Sequence, residues 1–124
     1  MPPSRWISLT LAFALILPAC DSQGSARPRG ELATALDALC EARMLSARGR
    51  IGEAEATFTD RAHAFLHRLA RQTNRASAAE LLEAKARVEQ AFLEPPPPAA
   101  LARLLETLRR RTAEAGEAEV PPCR

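Results

Sequence analysis

The sequence is poor in the residues on which several common kinds of binding site depend. Aromatic residues make up 4% of the 124 residues and tyrosine is absent, so stacking platforms for nucleic-acid bases and aromatic cages for cations are not expected. The five glycines form neither a phosphate-binding loop nor a dinucleotide fingerprint. Seventeen Lys and Arg side chains face fifteen Asp and Glu, a net charge of +2, which is no basic excess for nucleic acid. At this length the chain has room for one small domain.

Catalytic motifs are missing as well. The sequence contains no G-x-S-x-G and no H-E-x-x-H, and its only histidines, His63 and His67, fall on one predicted helix. A di-iron bundle needs a histidine motif on two helices. Cys40 falls on the apolar side of its predicted helix, where a thiol is normally inert, so a thiol-based redox activity is only a third hypothesis. The sequence therefore predicts a protein that is not an enzyme.

The first twenty residues have the pattern of an export signal. After Arg5, the segment Trp6–Leu17 runs for twelve residues without a charge. This is shorter than the roughly 20 residues that a membrane-spanning helix needs, and it has the length of the apolar region of a signal peptide. The run ends at Leu17-Pro18-Ala19-Cys20. That ending resembles the lipobox of the bacterial lipoprotein class.

The resemblance implies cleavage after residue 19 and a lipid, with acyl chains such as palmitate, on Cys20. Two acyl chains suffice for stable anchoring in a membrane. Residues 1–19 would be the signal peptide, 20–30 the lipidated cysteine and a flexible tether, and 31–123 a helical domain outside the cytoplasm. The alternative is a plain secretory signal with Cys20 as an ordinary thiol. The choice between inner and outer membrane stays open.

Two further cysteines, Cys40 and Cys123, remain once Cys20 is assigned to the lipid. An exported segment enters a compartment that permits disulfides. Two thiols left in a small exported domain are most simply partners, and a bridge would hold a proline-rich C-terminus that otherwise frays. The sequence therefore predicts a Cys40–Cys123 disulfide.

From residue 31 onward the apolar residues recur at helical spacing, and no segment alternates as a strand does. We predict an all-α fold, a small antiparallel bundle of about four helices. Ser77 and Glu80 have the spacing of a capping box, which indicates a helix start at Ala78. The four predicted helices cover residues 31–48, 53–74, 78–94 and 98–115.

One row of polar side chains on the second predicted helix could hold a metal ion. Asp60, His63 and His67 are spaced so that an oxygen and two imidazole nitrogens could approach one Cu or Zn ion. The alternatives are a solvated helix face with an ion pair and a histidine hydrogen-bonded to a neighbouring helix. A larger site that adds Cys40 and Cys123 would require reduced thiols, and its spacings match no zinc-finger pattern.

Lys85 is the only lysine, and with Glu89 it forms an i, i+4 pair inside an apolar stripe. We expect its alkyl stem to cover apolar surface while its amine reaches water, with a ligand or partner surface as the alternative. Taken together, these patterns predict a membrane-anchored lipoprotein of the cell envelope that binds an unidentified envelope protein through a helical face. The alternative function is metal binding, with Cu or Zn, by the histidine pair.

Overall fold

The structure, a computed structural model, describes residues 26–124 and is helical, without strands, over that range. Its five helices are α1 (Ala26–Ala47), α2 (Ile51–Arg61), α3 (His63–Gln72), α4 (Arg75–Leu93) and α5 (Pro98–Ala115). The predicted all-α class is confirmed, whereas the predicted number of four helices is wrong. The predicted signal peptide, Cys20 and residues 21–25 of the predicted tether lie outside the described residues.

The first helix begins earlier than the sequence pattern predicts. Residues 26–30, which we assigned to the tether, form the first turn of α1. Pro28 is compatible with this position because the first N–H groups of a helix have no intrahelical partner. The hydroxyl of Thr34 donates a hydrogen bond of 2.9 Å to the carbonyl of Gly30, four residues earlier. None of the described helices is long and apolar enough to cross a membrane.

The second predicted helix is divided at Ala62, which accounts for the fifth helix. Ala62 has φ −121° and ψ −40°, outside the helical range, although it is almost fully buried. Backbone hydrogen bonds of 3.0 Å from Ala62 to Phe58 and from Leu66 to Ala62 span the break. The bend lets α2 pack chiefly against α1 and α3 chiefly against α4. Because no glycine or proline stands near 62, the sequence carries no local signal for it.

Helix α4 begins at Arg75, three residues before the predicted start. The side chain of Asn74 accepts a hydrogen bond of 2.9 Å from the backbone N–H of Ser77, so Asn74 is the N-cap. The predicted capping box at Ser77 is therefore wrong, and asparagine is as good a cap as serine. The four prolines end α4 as predicted, and Pro98 begins α5, whose bounds match the prediction.

The helices enclose one core to which all five contribute. Helix α1 packs against α2 and α5, and α4 packs against α3 and α5, so the first and last helices lie side by side. The antiparallel arrangement of neighbouring helices stays a prediction. The largest side chains that solvent does not reach are Leu39, Phe58, Leu66, Leu81, Val88, Leu101, Leu105 and Leu108.

A network of charged groups ties α1, α5 and the C-terminal tail together. The buried guanidinium of Arg109 donates two hydrogen bonds of 2.9 Å to the carboxylate of Glu106 and a third to the carbonyl of Pro121. From α1, Arg43 reaches the same carboxylate at 3.1 Å. These contacts, led by the hydrogen bonds from Arg109, hold the pKa of Glu106 below its ordinary value.

Replacing Glu106 should therefore destabilise the fold in a way that depends on pH. Above about pH 5, we expect Glu106→Gln to lower the free energy of unfolding by about 1–3 kcal/mol, because it weakens charge-assisted hydrogen bonds. A carboxyl with a lowered native pKa loses its stabilising effect as the pH falls through that pKa, so the difference from wild type should shrink towards pH 3. Urea unfolding of both proteins at several pH values measures this difference in the free energy of unfolding.

The control is Glu83→Gln, which removes an exposed ion pair with Arg87. Exposed pairs contribute about 0–1 kcal/mol, so this variant should unfold nearly as wild type does. A Glu106→Gln deficit that is the same at pH 7 and pH 3 would contradict the role of the ionised carboxylate.

Candidate functional site

The two histidines lie together at the beginning of α3, just after the break at Ala62. The ring centroids of His63 and His67 are 4.8 Å apart, with the ring planes at 74°. The prediction that the side chains of His63 and His67, four residues apart, point the same way is therefore confirmed. The side chain of His63 is 39% exposed and that of His67 is exposed, so both are within reach of solvent molecules or ions.

Two charged residues of α4 complete this group, which we call the histidine–lysine cluster: His63, His67, Lys85 and Glu89. The ammonium of Lys85 pairs with the Oε1 atom of Glu89, and the same oxygen lies 3.5 Å from Nε2 of His63. Lys85 is 5% exposed, so its amine meets Glu89 rather than reaching freely into water. The expectation that its amine reaches water is thus corrected: burial of the charge requires a partner, and Glu89 supplies it.

Aromatic rings support the cluster from the core side. The ring of Phe58 on α2 meets that of His63 edge-on, with centroids 6.0 Å apart, and also contacts Phe92 on α4 at 5.7 Å. Phe58 is 2% exposed, so one side of the His63 ring rests on packed core. The position of His63 is therefore set by packing on one side and by Glu89 on the other.

The cluster disfavours protonation of His67. The positive charge of Lys85 is the main cause that lowers the pKa of His67 from its ordinary value, and the loss of some hydration, His63 and Arg71 act in the same direction. The negative charge of Glu89 opposes them. His67 consequently presents a neutral imidazole near pH 7, with a nitrogen lone pair that can accept a hydrogen bond or a metal ion.

Asp60 does not join the histidines as the sequence suggested. Among the described residues, no three His, Cys, Asp or Glu side chains lie together as a group that could hold a metal ion. Asp60 precedes the break and belongs to α2, whereas His63 and His67 belong to α3. The carboxylate that approaches His63 is that of Glu89, from another helix.

A second notable place is where the C-terminal tail meets α1. The structure brings Cys40 and Cys123 to disulfide distance, with their Sγ atoms 2.03 Å and their Cα atoms 5.5 Å apart. A cavity of about 480 Å³ opens beside the pair and is lined by residues of α1 and by 121–124. The histidines do not line it, so the larger Cys and His site considered from the sequence is not assembled here.

Three residues that shape these places, Lys85, Glu89 and Arg109, were underestimated from the sequence. Lys85 and Glu89 carried a visible signal, because a charged i, i+4 pair inside an apolar stripe is unusual. Arg109 carried none, since arginines late in α5 are equally explained by the helix dipole. Arg109 is buried because the C-terminal tail lies against it, and the carbonyl of Pro121 accepts a hydrogen bond from its guanidinium.

The charge of Lys85 should control the protonation of His67. In Lys85→Met the apolar stem remains and the charge is removed, so we expect the pKa of His67 to rise, and the freed charge of Glu89 to act in the same direction. An NMR titration of the imidazole C–H signals measures the change. As a control, Arg71→Met should raise this pKa less, because Arg71 is the weakest of the lowering influences. An unchanged pKa in Lys85→Met would contradict the assignment.

Comparisons with known proteins give no relative from which a role for these residues could be transferred. No protein-family model matches the chain. A search of curated proteins returns no significant match. A search of solved structures likewise returns none. The function is therefore argued from the chain's own residues.

Proposed function

We propose that this chain is a lipid-anchored, non-enzymatic binding module of the bacterial cell envelope. In this proposal the signal peptide of residues 1–19 is removed and Cys20 carries the lipid. The helical domain then lies outside the cytoplasm, on the membrane surface, with Cys40 and Cys123 joined as a disulfide. It binds an envelope protein and requires no cofactor.

The observation that carries the proposal is the placement of Cys40 and Cys123 at disulfide distance. Stable disulfides belong to exported proteins, because cytoplasmic reductants keep thiols reduced. That is the compartment to which a lipobox ending in Cys20 would direct the chain. Two independent parts of the sequence, the first twenty residues and the distant cysteine pair, thus point to the same location.

The surface of the described domain is compatible with binding rather than catalysis. Several of its charged side chains are engaged in ion pairs, such as Arg61 with Glu41 and Arg87 with Glu83. Leu93, at the end of α4, is 75% exposed, which is the highest exposure among the large hydrophobic side chains of the described domain. A cavity of about 320 Å³ near it is lined by Pro96 and Leu104, among others. Small apolar patches of this kind are where protein partners commonly bind.

The intact mass of the protein extracted from its own membrane tests the anchor and the disulfide together. We expect a mass that fits a chain beginning at Cys20 with a covalent lipid attached. Alkylation without reductant should modify no cysteine, and alkylation after reduction should modify two, Cys40 and Cys123. Cross-linking in the membrane before extraction should join the chain to one envelope protein in a constant ratio.

The Cys20→Ser variant is the matched control, since it removes the lipid attachment atom and leaves the domain untouched. It should lack the lipid mass and leave the membrane fraction. A wild-type chain that retains residues 1–19, or whose Cys20 alkylates, would contradict the anchor. Alkylation of Cys40 and Cys123 without reductant would contradict the disulfide.

Metal binding by the histidines is the second candidate function. The observation in its favour is the 4.8 Å separation of the two rings, together with the lowered pKa that keeps His67 neutral. The nearby ammonium of Lys85 opposes it, because a positive charge repels a metal ion. Neither Asp60 nor Glu89 completes a three-residue metal-holding group with the pair among the described residues, so water would have to supply the remaining ligands.

Thermal unfolding of the oxidised chain with Zn(II) or Cu(II) tests this second candidate. Metal binding by the native state predicts a rise in Tm that His67→Ala abolishes and that Asp60→Asn leaves intact. No rise at millimolar metal, or a rise that survives His67→Ala, would contradict it. The lipid anchor does not enter this measurement, so the two candidates are decided separately.

A further inference from the structure

A third sulfur-containing residue, Met44, lines the cavity beside the cysteine pair. Cys40 and Met44, both on α1, line it together with Cys123 and its neighbours in the tail. Met44 stands four residues after Cys40, so their side chains occupy the same face of the helix. It is 36% exposed, which is high for a methionine at the edge of a packed helix.

The fold keeps the two cysteines near each other by means other than the bond between them. The buried guanidinium of Arg109 donates a hydrogen bond to the carbonyl of Pro121, two residues before Cys123. The same guanidinium is fixed by Glu106. Since these contacts do not involve sulfur, the tail should stay against α1 when the cysteines are reduced.

We propose that reduction of Cys40–Cys123 creates a binding site for one Cu(I) ion, formed by the two cysteine thiolates and the thioether of Met44. Thiolate and thioether ligands together select Cu(I) among the common metal ions. Zinc would instead favour nitrogen, oxygen or thiolate ligands without a thioether; the histidines do not line this cavity, whereas the carboxylates of Asp37 and Glu41 do, so the thioether of Met44 is the feature that favours Cu(I). The proposal does not involve the histidine pair, and the titration uses a chain with Cys20→Ser so that Cys40 and Cys123 supply its only thiols.

The chemical step is a thiol–disulfide exchange followed by metal binding. A dithiol reductant attacks the Cys40–Cys123 bond, supplies two electrons and two protons, and is itself oxidised to a disulfide. The two released thiols then coordinate Cu(I) as thiolates, and their protons pass to solvent. The oxidised chain holds no thiolate at this place, so the state of the disulfide decides whether copper binds.

The experiment is an anaerobic titration of the full chain with Cys20→Ser, in detergent, with Cu(I) supplied as a complex with a coloured chelator. The chain is reduced by a dithiol, and the dithiol is removed by gel filtration before copper is added. We expect the reduced chain to take one Cu(I) and the oxidised chain to take none. Met44→Leu should weaken binding about tenfold or more, and Cys123→Ser should abolish stoichiometric binding.

Met44→Leu keeps the volume and apolar character of a half-exposed side chain, so it should fold normally. The matched control is Leu82→Met, which adds a thioether at another exposed position and should leave binding unchanged. Circular dichroism of the reduced chain should retain the helical signal. Loss of that signal, equal affinity in Met44→Leu, or stoichiometric binding that survives Cys123→Ser would each overturn the proposal.

Discussion

Helix α1 is held against the last residues of the chain at two neighbouring points, the Cys40–Cys123 pair and the hydrogen bond from Arg109 to the carbonyl of Pro121. The cysteines are 83 residues apart in sequence, so helices α2 to α5 all lie within the loop that this pair closes. A disulfide around a loop of this length stabilises by about 4–5 kcal/mol on the chain-entropy account. Small domains have about 5–15 kcal/mol in total, so the disulfide would add a large share of the stability, while the packed core and the hydrogen bond from Arg109 to Pro121 remain when it is reduced.

Within residues 26–124, two buried cations, Lys85 and Arg109, are each paired within their own helix, and each ion pair also contacts another element. Lys85 meets Glu89 four residues later, and Arg109 meets Glu106 three residues earlier. A partner on the same helix is present as soon as the helix forms, which reduces the penalty of burying the charge. The contact with another element is made by the carboxylate of Glu89, to His63, in one case and by Arg109 itself, to the carbonyl of Pro121, in the other. These two ion pairs can thus favour one packing partner over another for α4 and α5.

The sequence predicted those features of the fold that depend on local chemistry, and missed those that depend on distant neighbours. The four prolines between α4 and α5 predicted the end of the first helix and the start of the second. The pairing of Cys40 with Cys123 followed from counting the thiols. The break at Ala62 has no local cause, because alanine is the best helix former. It allows α2 and α3 to pack against different helices. The sequence pattern predicted the cap at Ser77, whereas in the folded chain Asn74 caps the helix by accepting a hydrogen bond from the backbone N–H of Ser77.

The same distinction applies to the two places where chemistry could occur. The histidine pair was visible as a spacing, but its surroundings come from α4, where Lys85 adds a positive charge that no periodicity on α3 could reveal. The cavity beside the cysteine pair is lined by charges of both signs, Asp37, Glu41 and Arg124, and the oxidation state of the pair decides whether its sulfur atoms can act as ligands. A cation therefore meets repulsion beside the imidazoles at any pH at which Lys85 is charged, whereas the cysteine pair changes from inert to strongly coordinating on reduction.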